Sequence, residues 1–86
     1  MKLNKNFLVH NTGKEVVVVP TSEAAFSGVV KGNRTLGVIL ELLEKETTEE
    51  KMIDAMCSRF DASRETIAED VRSTIDRLKK IGAIDD

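Results

Sequence analysis

The chain has 86 residues, 41% of them apolar and 33% charged, with a formal net charge of −2. That length sets one domain, residues 1–86, with a modest core that removes about two-thirds of the unfolded surface from water. Three Phe and no Trp or Tyr leave the core to aliphatic side chains and exclude a base-stacking platform. The charge is divided unevenly. Residues 1–34 carry five basic and two acidic side chains, and residues 35–86 carry eight and thirteen. An acidic second half disfavours a DNA reader, whereas a mildly basic first part suits an acidic peptide. Cys57 stands alone, so an intramolecular disulfide, a CxxC redox pair and a zinc site are all excluded. It reads as a partly buried helix residue. No apolar run is long enough for a signal peptide or a membrane span, which predicts a cytoplasmic protein without a membrane partner.

Met1–Asn6 is polar and expected to fray. Phe7-Leu8-Val9-His10 reads as a strand, Asn11-Thr12-Gly13-Lys14 as a turn, and Glu15-Val16-Val17-Val18-Val19 as a second strand. Four successive valines, apolar on both faces, predict a strand covered on each side or central in a three-stranded sheet. Pro20 cannot donate to a ladder and closes that strand. After a connection at Thr21–Ala25, Phe26–Lys31 reads as the third strand. Gly28 inside it marks a bulge or a close approach of another backbone.

The pattern changes at Gly32-Asn33, where Asn33 or Thr35 is placed to cap an apolar helix over Thr35–Lys45. Leu36, Ile39, Leu40 and Leu43 form its core stripe. Val38 and Leu42 fall on the other side, where a second helix or a dimer partner would cover them. Thr47-Thr48-Glu49-Glu50 has the capping-box pattern, with Thr47 as cap, for a second helix over Thr48–Phe60 that buries Met52, Ile53, Met56 and Phe60. Ser63 caps a third helix that runs to about Lys80, with Lys79 and Lys80 matching its dipole. Gly82 is the expected stop, and Ile84 should fold back on the core. Three strands followed by three helices read as α+β.

The residues assemble no enzyme. His10 is the only histidine, no phosphate loop or metal-ligand spacing occurs, and the carboxylates lie on helix surfaces. On the third helix, Ile67, Val71, Ile75, Leu78 and Ile81 make the core stripe. One border carries Ala68, Arg72 and Lys79 beside the edge of Ile75. The other carries Thr66, Asp70 and Arg77. The first border would suit a groove holding an apolar side chain and an adjacent carboxylate. Read by pattern alone, it is an ordinary solvated shoulder.

Several stretches together resemble the PqqD family of small peptide-binding proteins. They are the valine-rich strand with Gly32-Asn33-Arg34-Thr35, then Thr47-Thr48-Glu49-Glu50, then Asp70-Val71-Arg72-Ser73-Thr74-Ile75-Asp76-Arg77-Leu78 with Gly82-Ala83-Ile84. The resemblance spans Phe7 to Ile84. Thr74 and Ile75 depart from it, standing where larger apolar residues and leucine are frequent. It implies a winged-helix-like domain, a three-stranded antiparallel sheet followed by a three-helix bundle. It further implies a non-catalytic chaperone that captures the leader segment of a ribosomally made precursor peptide by strand addition. The peptide is then presented to a modifying enzyme, typically of the radical S-adenosylmethionine type, with no cofactor bound by the chaperone itself. Carried onto this chain, Phe26, Ser27, Gly28, Val29, Val30 and Lys31 form the strand side of the groove. Ala68, Arg72, Ile75 and Lys79 form its helix side. The competing class is a winged-helix nucleic-acid-binding regulator, which the mixed charges of residues 64–80 fit poorly. A third reading is a dimerisation module using Val38 and Leu42, so the chain is expected as a monomer or weak homodimer.

Overall fold

The computed structural model describes residues 1–21 and 28–85. Strands β1 (Lys2–Leu3), β2 (Phe7–Asn11), β3 (Val16–Pro20) and β4 (Val30–Gly32) precede helices α1 (Arg34–Leu42), α2 (Glu49–Arg59) and α3 (Arg64–Lys80). A short β5 (Ile84–Asp85) follows them. The main sheet is antiparallel in the order β2-β3-β4, and β1 pairs with β5 in a separate ribbon. The architecture is the α+β one expected from the pattern and the winged-helix-like one that the resemblance implies.

The valine run sits at the centre of the three strands. Val16 and Val18 are buried, while Val17 and Val19, on the opposite face, are half-buried. The β2–β3 hairpin turns where Gly13 adopts φ +87° and donates its N–H to the Asn11 side chain at 2.9 Å. Pro20 is the last residue of β3, opposite Phe7. Helix α1 lies close against the sheet because Gly37 has no side chain. A Cβ there would stand 3.0 Å from Val16 Cγ2 and 3.1 Å from Asn11 Nδ2. The core then continues through Ile39, Leu40 and Leu43 to Met52 and Met56 of α2 and to Val71 and Leu78 of α3. Ala83 closes it.

Several expectations need correction. Met1–Asn6 is tied down: Leu3 donates its N–H to the Leu43 carbonyl at 2.9 Å and Asn4 donates to Ala83 at 2.7 Å. The Met1 amino group donates to the Thr47 carbonyl at 2.7 Å and pairs with Glu46. These partners come from the distant end of the chain, so composition could not announce them. The third strand is displaced from the expected Phe26–Lys31. Phe26 and Ser27 lie outside the described residues, and Gly28 (φ +130°) and Val29 precede the ladder rather than joining it. Helix α1 stops at Leu42, with Leu43 as its cap. Thr48, not Thr47, caps α2 by accepting from the Lys51 N–H. The capping box with Glu50 therefore does not form, and the Thr47 carbonyl is engaged by Met1 instead. Phe60 is half-buried at the end of α2, with the Arg34 guanidinium 5.4 Å from its ring centroid. Val38 is buried and Leu42 half-buried within a single copy of the chain.

Other readings hold. Asn33 caps α1, accepting from the Thr35 and Leu36 N–H groups. Ser63 caps α3, accepting from Thr66. The third helix is the longest, at 17 residues. Gly82 ends it at φ +75°, and Ile84 returns to pair with Leu3. Cys57 is partly buried, as expected.

Candidate functional site

Strand β4 is the outer strand of the sheet, and its far edge has no strand partner among the described residues. Backbone donors and acceptors on such an edge are a template for another extended chain. Beyond the end of β4, a cavity of about 260 Å³ opens between the start of α1 and one face of α3. It is lined by Gly32, Asn33, Thr35, Leu36, Asp70, Ser73, Thr74 and Arg77. The four α3 residues recur at i, i+3, i+4 and i+7, so they form one stripe along the helix. Among the described residues Leu36 supplies its only large apolar side chain. The backbone comes close at Gly32, where a Cβ would sit 2.4 Å from Leu36 Cδ2 and 2.9 Å from Leu36 Cβ. A side chain at this position would push α1 away from the strand.

The structure divides the sequence-derived site. Of its strand side, Val30 and Lys31 belong to β4, Val30 half-buried and Lys31 exposed with its ammonium 3.7 Å from Glu15. Gly28 and Val29 lie just before the strand and are exposed, and Phe26 and Ser27 are outside the described residues. The proposed helix side turns away from β4. Arg72, Ile75 and Lys79 line a different cavity, of about 480 Å³, with Met1, Thr47, Thr48, Glu49 and Asp76. There Arg72 Nε is 3.4 Å from Glu49 Oε1. Ile75 is 4% exposed and offers no apolar edge, and Ala68 packs half-buried against the core. The two borders of α3 flank the same core stripe, so the wheel alone treats them alike. Tertiary packing decides between them: Glu49 at the start of α2 pairs with Arg72 on one border, and Gly32 with the start of α1 lies beside the Asp70 border.

Asp70 and Arg77, on the other border of α3, are the residues that lie beside Gly32, Asn33, Thr35 and Leu36, and nothing in the chain's local pattern ties that border to them. Among the described residues no cluster of His, Cys, Asp and Glu could hold a metal ion, and His10 is an exposed residue of β2. No helix is long and apolar enough to cross a membrane.

Fold and groove together define a small winged-helix-like domain with an open sheet edge running toward its last helix. Over residues 15–84 the sequence matches the family described as Coenzyme PQQ synthesis protein D (PqqD), and the chain belongs to that family. Among curated proteins, none matches it. Two solved structures are similar in fold. One, described as TbiB1 in complex with the TbiA(beta) leader peptide, has a TM-score of 0.76 and 24% identity, covering 99% of this chain and 100% of that one. The other, lasso peptide synthetase B1 complexed with the leader peptide, has a TM-score of 0.75 and 17% identity, covering 95% and 93%.

Proposed function

We propose that this protein is a non-catalytic recognition element for a ribosomally made precursor peptide. The leader segment adds as a strand to the outer edge of β4, running beside α3, and the domain holds it for a separate modifying enzyme. A radical S-adenosylmethionine enzyme is the partner that the PqqD family suggests. The single observation carrying this reading is the edge of β4 that has no strand partner among the described residues, contiguous with a groove whose other wall is α3. Family membership supports it, as does the shared fold of two proteins whose structures hold leader peptides. Edge pairing supplies affinity through backbone groups, and side-chain pockets supply choice.

The test is a titration with the leader of a precursor peptide encoded beside this gene, followed through the backbone amides. Val30, Lys31, Gly32 and the Asp70–Arg77 face of α3 should shift. Scanning the leader with N-methyl groups should weaken binding at every second residue only, because alternate N–H groups face the strand. Each methylated contact should cost about 0.5–1.5 kcal/mol, more where the methyl group clashes. Silent β4 amides, or an N-methyl scan without a period of two, would refute strand addition.

A further inference from the structure

We infer that the groove selects a leader segment carrying one cationic and one anionic side chain on the same face of its strand, read by Asp70 and Arg77. This inference rests on the strand-addition reading above. Both side chains line the groove and are exposed. Neither has an ion-pair partner among the described residues, whereas Arg72 on the opposite border is engaged by Glu49. Seven positions separate them, about 10 Å along the helix axis at 1.5 Å per residue. Direct ion pairing needs an approach of about 4 Å, so a carboxylate and a guanidinium at those two levels do not satisfy each other. The wall between them is Ser73 and Thr74, hydroxyl-bearing and uncharged. The stripe is thus acidic at one end, neutral in the middle and basic at the other. An extended peptide places same-face side chains about 7 Å apart at i, i+2 and about 13 Å apart at i, i+4. The 10 Å interval lies between these, within reach of Lys or Arg at one end and Glu at the other. The same polarity disfavours a large apolar anchor, since among the described residues only Leu36 would meet it.

The experiment uses synthetic peptides built on one extended host of Thr, Val and Ser. Two same-face positions, spaced i, i+2 in one set and i, i+4 in another, carry Lys/Glu, Glu/Lys, Lys/Lys or Glu/Glu. Binding to the full chain is measured by fluorescence anisotropy, with amide shifts at Val30–Gly32 locating the peptide. One mixed order should bind at least about fivefold tighter than its reverse, the combined effect of two rim pairs. The preference should shrink as salt rises. Exchanging the charges with Asp70→Arg and Arg77→Asp together should invert the preferred order. Neutralising them with Asp70→Asn and Arg77→Gln should flatten it, and this second variant decides the matter if the exchanged one fails to fold. Equal binding by all four peptides, a preference indifferent to the exchange or neutralisation, or no binding of any host peptide at millimolar concentration overturns the charge assignment. Failure of the underlying reading looks different. In that case the natural leader itself leaves the β4 amides silent.

Discussion

Replacing Gly32 by alanine places a methyl carbon 2.4 Å from Leu36 Cδ2, 2.9 Å from Leu36 Cβ and 3.2 Å from Leu36 Cγ. The tip of the leucine can rotate away, but its Cβ moves only with the backbone of α1. Leu36 is 5% exposed and packs in the core, so there is little space to rotate into. Overpacking of this kind costs about 1–3 kcal/mol, a large share of the roughly 5–10 kcal/mol that holds a domain of this size. Leu36→Ala alone removes the buried isobutyl group and should cost about 2–5 kcal/mol. In the double variant the Cδ2 and Cγ contacts vanish and only the Cβ contact persists. Its loss of stability should therefore fall short of the summed single losses by about 1 kcal/mol or more, as for coupled neighbours. Urea unfolding of all four proteins, followed by far-ultraviolet circular dichroism, measures the cycle. Additivity within about 0.3 kcal/mol would refute the close approach of α1 to β4 at Gly32, and with it the floor of the groove.

Asn33→Ala should destabilise the domain by about 1 kcal/mol, since the N-cap acceptor for Thr35 and Leu36 is lost, read from the urea midpoint. Thr48→Ala should cost about the same, while Thr47→Ala should cost less than half of it; the reverse order would restore Thr47 as the cap of α2. In leader titrations Arg77→Glu should weaken binding several-fold more than Arg72→Glu, because Arg77 lines the groove and Arg72 faces α2 beside Glu49. Equal effects would mean that the peptide does not run along the Asp70 border. Sequence-selective binding to duplex DNA should be absent in a mobility-shift titration near physiological salt, given the excess of acidic side chains after residue 34.

The order of elements was legible because it rests on short-range physics. Short apolar runs and β-branching mark β2 and β3, Pro20 blocks a ladder, and Asn33, Ser63 and Gly82 suit the special geometries at helix ends. The core stripe of α3 was legible for the same reason, since a period of 3.6 residues repeats within four turns. What failed was whatever required a partner from elsewhere in the chain. The Met1–Asn6 segment looked loose because its stabilising contacts come from Leu43, Thr47, Ala83 and β5. The choice between Thr47 and Thr48 as cap turned on the same contact with Met1. The border of α3 that lies beside Gly32 is the clearest case of what a sequence leaves open. Ala68, Arg72 and Lys79 on one border and Asp70 and Arg77 on the other are equally compatible with an amphipathic helix. A wheel contains no information about which neighbour lies on which side. Only the tertiary arrangement, with Glu49 of α2 beside Arg72 and the start of α1 beside the other border, puts Asp70, Ser73, Thr74 and Arg77 next to Gly32, because that choice rests on contacts between residues far apart in the chain.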